Sequence, residues 1–147
     1  MTTEDPKVEV GAHIVRPWGY YTLVTHQDDY SVKLLYINPG EETSLQRHSK
    51  RHELVILLDG TVSISDGERI FSKDRSNRSS AYRVNAGQWH KFSVPLDQDD
   101  PTVLLEIAYG ELDPDDFERQ FDKYDRERKI GPGFVHRVID DYNWRKK

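Results

Sequence analysis

The chain has 147 residues, a formal net charge of −5 and no cysteine, and its length fits one domain. The lack of cysteine excludes disulfides, thiolate metal sites and a cysteine nucleophile, and the negative charge argues against a general binder of nucleic acid or anionic membranes. No apolar run reaches the roughly 18 residues of a membrane span, and Met1–Val10 lacks the apolar core of a signal peptide, so we expect a cytoplasmic protein.

The first three quarters of the chain have the pattern of a β protein. Residues 1–11 are predicted to be an arm, and short aromatic and β-branched runs then alternate with turn signals. A polar loop is predicted at Ser72–Ser80. Many short strands at this spacing are typical of a sandwich or barrel. Strands are predicted at Tyr20–Thr25, Tyr30–Asn38, Thr43–His48, Glu53–Asp59, Thr61–Ser65, Ala81–Asn85, His90–Val94 and Thr102–Tyr109.

The segment after residue 112 carries the signals of a helix instead. Asp113 fits an N-cap, Pro114 fits the first helical position and acids fill the first turn, so a helix is predicted at about 114–129. Phe117 and Phe121 lie four positions apart and would dock this helix on the β body. The predicted domain therefore covers 12–130, and the apolar residues of 131–147 predict a packed extension or a dimer contact.

The densest group of chemically active residues lies between Gln46 and Glu53. On a strand ending near His48, the side chains of Gln46 and His48 point the same way, because strand side chains repeat every two residues. A turn would return Glu53 on the next strand, and His90 could supply a fourth donor. Two imidazoles, an amide oxygen and a carboxylate suit a divalent first-row metal. By spacing alone, a metal-free hydrogen-bonded cluster stays an alternative.

The segment Q-R-H-S-K-R-H-E from Gln46 to Glu53 resembles the Q-x-H-x-x-R-x-E signature of type II mannose-6-phosphate isomerases. These are cupins, usually found as the C-terminal domain of bifunctional isomerase/mannose-1-phosphate guanylyltransferases. The resemblance runs from about Arg16 to Arg126 through further motifs in the same order. They are R-P-W-G-Y-Y at 16–21, Y-S-V-K at 30–33, P-G at 39–40, N-A-G-Q-W-H at 85–90, E-I at 106–107 and D-D-F-E-R-Q-F-D-K-Y-D-R at 115–126.

The resemblance implies a cupin double-stranded β-helix, a jelly-roll barrel with the C-terminal helix attached, that interconverts mannose 6-phosphate and fructose 6-phosphate. It implies a homodimer, and one divalent ion (Zn, Co, Mn, Fe or Ni). The implied metal ligands are Gln46, His48, Glu53 and His90. The predicted catalytic residues are Arg51, Arg119 and Arg126, as clamps for the phosphate or the enediolate charge, together with Lys33. The general base stays open among Lys33, His52 and a metal-bound water.

Departures from the family pattern keep other functions open. Leu54 and Val55 stand where the family has His-Trp, and Asn85 replaces the proline of the second motif. The alternatives are a non-catalytic cupin that binds a sugar or sugar phosphate, and another metal-dependent cupin enzyme. The guanylyltransferase motif G-x-G-x-R-L is absent, which predicts no nucleotidyl transfer. The basic run Arg69–Arg83 lacks aromatics in its loop and is predicted to be a solvated hairpin tip without nucleic acid.

Overall fold

The computed structural model describes residues 9–67, 70–74, 80–113, 115–121 and 123–124, and these ranges contain eleven strands. The strands are short and nearly all end at turns marked by glycine, proline or aspartate. They are β1 (His13–Arg16), β2 (Gly19–His26), β3 (Tyr30–Ile37), β4 (Leu45–Arg47), β5 (Arg51–Asp59), β6 (Thr61–Ser65), β7 (Ile70–Asp74), β8 (Ala81–Val84), β9 (Lys91–Ser93), β10 (Thr102–Gly110) and β11 (Glu118–Phe121).

Two antiparallel layers form a barrel. One layer is a six-stranded sheet in the order β1-β2-β3-β10-β5-β8. The other combines the three-stranded sheet β7-β6-β9 with the pair β11-β4. Single bridges between Gln46 and His90 and between Glu42 and Ser93 join β4 to the β9 side. These bridges set β4, β5 and the start of β9 around one end of the barrel.

The core lies between the two layers because each long strand alternates buried and half-exposed residues. On β3 and β10 every second side chain is buried, the pattern that a sheet with one buried face requires. Leu35 and Leu104 from the large sheet and Ile64 and Phe92 from the small one belong to the same apolar cluster. Apolar contact across the barrel therefore holds the two layers together.

Gly19 is required where β2 leaves the turn at Trp18. Its φ is +150°, and a Cβ there would collide with the backbone carbonyl of Tyr36 on β3. A side chain at this position would push β2 away from β3. The close approach keeps Trp18, 7% exposed, packed against the core and the neighbouring cavity.

The all-β prediction and its strands are confirmed, with ends that shift by at most two residues. β7 covers Ile70–Asp74, so the loop predicted at Ser72–Ser80 is wrong for its first three residues, and 75–79 lie outside the described residues. β1 was not predicted.

The helix predicted at about 114–129 is wrong over its described part. Glu118–Phe121 form β11, which pairs antiparallel with β4, and a turn follows at 123–124. The buried residues here are Asp116, Glu118 and Gln120, a period of two made of polar side chains. Residues 125–129, the predicted extension 131–147 and most of the arm, residues 1–8, lie outside the described residues.

Candidate metal centre

Three buried side chains converge at one end of the barrel: His48, Glu53 and His90. His48 follows β4, Glu53 is the third residue of β5 and His90 precedes β9. Their exposed fractions are 6%, 1% and 1%. Reciprocal backbone hydrogen bonds between Gln46 and His90, of 3.1 and 2.9 Å, hold β4 beside the His90 segment. Strand pairing therefore brings His48, Glu53 and His90 together, although they are separated in the sequence.

The donor atoms have separations that fit one bound ion. Glu53 Oε2 lies 3.3 Å from His48 Nε2, and Glu53 Oε1 lies 3.4 Å from His90 Nε2. Ligands bound at about 2.0–2.2 Å from one metal lie roughly 3–3.5 Å from each other. Within the described residues, Glu53 Oε1 and His90 Nε2 are buried and lack a hydrogen-bond partner. Buried polar atoms without a partner destabilise the fold. A divalent cation bound to both atoms would supply the missing interaction.

Both imidazoles are oriented by backbone carbonyls. His48 Nδ1 donates to the Asp116 carbonyl oxygen at 2.8 Å, and His90 Nδ1 donates to that of Gln88 at 3.2 Å. A nitrogen that donates to a carbonyl carries the proton, so the other ring nitrogen keeps its lone pair. In each case that other nitrogen is Nε2, which faces Glu53. This is the arrangement by which proteins orient metal-ligating histidines.

Asp116 secures the turn that carries His48. Its carboxylate accepts hydrogen bonds from the Ser49 amide at 2.8 Å, from the Ser49 hydroxyl and from the Lys50 amide at 2.7 Å. The side chain is 1% exposed. Asp116 was predicted to be a first-turn acid of a helix, and its function in this turn was missed. Because its partners are distant in sequence, no local pattern marks it.

Arg51 lies directly on the donor atoms of the cluster. Its Nη2 is 2.8 Å from Glu53 Oε2 and 3.2 Å from His48 Nε2, and its Nε is 3.1 Å from the same carboxylate oxygen. Since Nε2 of His48 has one lone pair, the guanidinium and a metal ion compete for it. The predicted catalytic residue Arg51 is therefore in contact with the predicted metal ligands.

Charge and burial set opposite pKa shifts on the two histidines. Burial and the positive charge of Arg51 lower the pKa of His48. At Glu53 burial alone would raise the pKa, but the charges of Arg51 and His90 outweigh it and hold the pKa well below its usual range. At His90 burial would lower the pKa, yet the Glu53 carboxylate prevails and raises it. Since a metal binds neutral imidazole, protonation of His90 competes with metal binding, and the raised pKa makes this competition stronger as the pH falls.

A cavity of about 290 Å³ opens beside the cluster. Three of the four predicted catalytic residues and two of the predicted ligands line it; they are Lys33, Arg51, Arg119, Gln46 and His48. Arg126 lies outside the described residues. The proposed base His52 is bonded elsewhere, since its Nδ1 accepts from the Ala86 amide at 3.0 Å and its ring packs on Tyr109.

Gln46 and Arg119 are neighbours across the β4–β11 pair. The Gln46 Oε1 atom accepts a hydrogen bond from the Ser44 hydroxyl at 3.2 Å, and Arg119 Nε contacts that hydroxyl at 3.2 Å. Arg119 thus reaches the cavity from a strand and not from the predicted helix. Whether Gln46 is a fourth metal ligand stays a prediction.

Sequence reasoning missed three further charged residues of the cavity, Arg16, Glu106 and Asp113. Arg16 lies at the end of β1, with its guanidinium 5.3 Å from the centre of the Tyr21 ring. Glu106 is buried on β10 and was noted only as part of a family motif. A single polar residue in an apolar run would have been the signal for Glu106.

The barrel and its buried His-Glu-His cluster define the class: this is a cupin, a double-stranded β-helix. An uncharacterized conserved protein with a double-stranded β-helix domain from Klebsiella pneumoniae superposes with a TM-score of 0.58 at 14% identity, covering 80% of this chain and 84% of that one. A cupin-superfamily sugar phosphate isomerase from Silicibacter pomeroyi gives a TM-score of 0.52 at 18% identity, covering 61% and 58%. At these identities the likeness shows the fold.

Residues 3–122 match the family described as mannose-6-phosphate isomerase C-terminal, and the chain belongs to this family. The mannose-1-phosphate guanylyltransferase of Escherichia coli K12 is 32% identical over 123 residues, which are 80% of this chain and 24% of that protein. The alginate biosynthesis protein AlgA of Pseudomonas syringae is 30% identical over 139 residues, 92% of this chain and 28% of that protein. The chain spans about a quarter of the length of these relatives.

The described part of the chain contains no helix long and apolar enough to cross a membrane.

Proposed function

We propose that the protein is a metal-dependent aldose–ketose isomerase of sugar phosphates, with mannose 6-phosphate and fructose 6-phosphate as its substrate pair. The observation that carries the proposal is the cluster of His48, Glu53 and His90, buried beside a cavity lined by cationic side chains. Family membership and the fold of the Silicibacter sugar phosphate isomerase support the same reaction class.

The reaction moves a proton between C1 and C2 and leaves negative charge on O1 and O2 of a cis-enediolate. A divalent ion held by the cluster would stabilise that charge as a Lewis acid. The Nδ1 atoms of His48 and His90 donate hydrogen bonds to backbone carbonyls, which orient both rings so that their Nε2 atoms face Glu53. The buried position excludes water and strengthens the electrostatic interactions of the site.

The cationic residues of the cavity would bind the anionic parts of the substrate. Arg51, 12% exposed, lies next to the cluster and would contact the reacting oxygens once a metal takes its place on His48. Lys33 and Arg119 line the same cavity and would hold the phosphate or the hydroxyl groups. Anchoring a distant phosphate supplies binding energy that positions the reacting carbons. The cavity volume of about 290 Å³ lies at the lower end for small-molecule sites.

The first experiment is a coupled assay of the full chain. Fructose 6-phosphate formed from mannose 6-phosphate is converted by phosphoglucose isomerase and glucose-6-phosphate dehydrogenase, and NADPH is followed by absorbance. We expect turnover after loading with Co²⁺, Mn²⁺, Zn²⁺, Fe²⁺ or Ni²⁺, and loss of it after chelation. His48→Ala abolishes activity, whereas His52→Gln, four positions away and bonded outside the cavity, keeps it. Absence of turnover in folded protein with every metal would refute the proposal.

Two other outcomes identify the alternative functions. Saturable binding of mannose 6-phosphate without product indicates a non-catalytic sugar-phosphate-binding cupin. Iron in the purified protein together with oxygen uptake indicates a different metal-dependent cupin enzyme. The departure that motivated the non-catalytic alternative does not change the lining of the cavity: Val55 is 2% exposed within the apolar core, Leu54 is half-buried on the other face of β5, and neither residue lines the cavity. This favours the catalytic proposal.

A further inference from the structure

The cavity holds a charged pair that the metal cluster does not use. Lys33 on β3 and Glu106 on β10 are direct cross-strand partners, and their exposed fractions are 9% and 8%. Both line the cavity. Burying a carboxylate and an ammonium group destabilises a fold unless their interactions compensate it, and apolar residues of similar size would serve stability at least as well. Stability alone therefore does not explain the Lys33–Glu106 pair, and a function in substrate binding or catalysis in the cavity does.

The sheet places Glu106 next to the metal cluster. In the β10–β5 pair, Ala108 is opposite Glu53, and Glu106 is opposite Val55, with all four side chains on the buried face. Glu106 and Glu53 are thus diagonal neighbours, and such residues lie about 7–8 Å apart. Glu106 thus lies on the same buried face as Glu53, and it lines the cavity that would hold the sugar.

The other candidate bases of the cavity have different tasks. The Asp116 carboxylate accepts three hydrogen bonds from the turn at Ser49–Lys50. Asp113 is paired with Lys50 at 3.2 Å. The Lys33 ammonium lies 4.7 Å from the centre of the Tyr21 ring and makes a cation–π contact with it.

We propose that Glu106 is the catalytic acid–base of this site and carries the proton between C1 and C2 of the sugar phosphate. The inference rests on the proposed isomerase function and names the residue that performs its central step. Burial raises the pKa of Glu106 to about 7, and the negative charge of Glu53 acts in the same direction, while the positive charges of Lys33, Arg51 and His90 oppose the rise. A carboxyl group poised near neutrality can both accept and return a proton.

The step balances without a co-reactant. The C2–H bond breaks, its proton passes to a Glu106 oxygen, its electron pair forms the C1–C2 double bond, and the carbonyl π pair moves to O1. Glu106 then returns the proton to C1, and the hydroxyl proton of O2 ends on O1. The product is the ketose, the carboxylate is regenerated, and no oxidant or reductant takes part. Lys33, the cross-strand partner of Glu106, lines the same cavity and places a positive charge near the carboxylate.

The test follows solvent exchange at C2 in the metal-loaded full chain. Mannose 6-phosphate is incubated in D₂O, and loss of the C2 proton signal is measured by NMR alongside the coupled assay. We expect Glu106→Gln to reduce exchange and kcat by about 10²–10⁴-fold with little change in KM. Glu106→Asp, which keeps a carboxylate one methylene further away, retains part of the exchange. Glu111→Gln, on an exposed side chain of the same region, keeps full activity.

Metal affinity measured by calorimetry separates a chemical from a structural effect. If Glu106→Gln binds the metal as the unmodified chain does but exchanges no proton, the assignment holds. If it exchanges and turns over at the unmodified rate, or loses metal and fold together while Glu106→Asp does the same, the assignment is overturned. If the unmodified chain itself neither isomerises nor exchanges, the proposed function fails and this inference fails with it.

Discussion

The two ends of this barrel use the same strands for opposite purposes. Going along β3, β10 and β5 from the cluster end, four of the six buried side chains in the first two layers are polar, whereas those in the third layer are apolar. The first two layers contain Glu53, Ser31 and Ala108, and then Lys33, Glu106 and Val55; the third contains Leu35, Leu104 and Leu57. All of these residues are nearly inaccessible to solvent. Equal burial in the two ends therefore does not mean equal contribution to stability.

The difference shows which end folds the chain and which end acts. Burying a leucine stabilises a fold by roughly 1.5–3 kcal/mol. Burying a charged group costs several kcal/mol before its partners compensate. The apolar end thus carries the fold, and the polar end is tolerated because a ligand or a reaction needs it. Substitutions in the two ends should accordingly change different quantities.

The largest expected effect is on metal binding at the polar end. Glu53→Gln removes the charge that both histidines face, so we expect metal affinity to fall by more than about 100-fold, beyond the usual effect of outer-shell residues. Isothermal titration calorimetry with Zn²⁺ and Mn²⁺ measures it. Glu42→Gln, a half-buried carboxylate paired with Lys91 on the rim, is the matched control and should bind normally. Equal affinities of the two variants would contradict the site.

The apolar end should respond in stability alone. Leu104 is 0% exposed in the core cluster, so Leu104→Ala is expected to lower the free energy of unfolding by about 2–5 kcal/mol. Urea denaturation measures the loss. Metal stoichiometry of the folded fraction should stay unchanged. A stability loss below about 1 kcal/mol, or loss of metal from folded protein, would contradict the conclusion that the apolar end contributes stability and the polar end metal binding.

The next effect is a pH dependence that arises from Glu106. Folding raises the pKa of the Glu106 carboxyl to about 7, so the folded protein holds the protonated form more tightly than the unfolded chain does. The contribution of Glu106 to the free energy of unfolding is therefore complete below pH 4.5 and is lost as the pH rises through about 7. A rise from 4.5 to about 7 corresponds to on the order of 3 kcal/mol. Glu106→Gln cannot ionise and should be the more stable protein at pH 8 in chelator, with little difference at pH 4. Melting temperatures at the two pH values measure this, and an equal difference at both would contradict it.

The smallest expected effect is on metal affinity, through Asp116, which positions His48 without being a predicted metal ligand. Asp116→Asn weakens the bonds to Ser49 and Lys50 that position His48, and we expect metal affinity to fall by about 10–100-fold. Asp115→Asn, on the exposed neighbouring side chain, is the control and should leave metal binding unchanged. The same calorimetric titration compares them. If both variants bind equally well, Asp116 serves the loop and not the metal site.

Much of the fold and part of the site follow from local sequence. The strands were predictable because their side chains alternate between apolar and polar, as on β3 and β10. The convergence of His48, Glu53 and His90 was predictable from a motif with several ordered companions. What no local pattern could supply was the contact of Arg51 with the donor atoms, which depends on the conformation of the turn.

The helix prediction failed for a physical reason that is specific to this segment. Hydrophobic periodicity reveals a strand only when its buried face is apolar. The buried face here consists of Asp116, Glu118 and Gln120, and Glu118 is paired with Arg47 at 2.9 Å. A strand that buries polar groups looks like a solvated helix, and helix-start signals near Asp113 reinforced that view. Tertiary pairing with β4 overrode the local preference.

The attachment of β11 also has a consequence for how fast the chain folds. Asp116 is bonded to a turn 67 positions earlier, and Tyr124 accepts from the Glu42 amide across 82 positions. Contacts this distant, like the β3–β10 pairing of the barrel, contribute stabilising energy only after loop entropy has been lost, so the chain should fold slowly. The Asp116 carbonyl that orients His48 belongs to this late-sequence segment. In refolding from urea we therefore expect that metal capture does not precede the docking of β11.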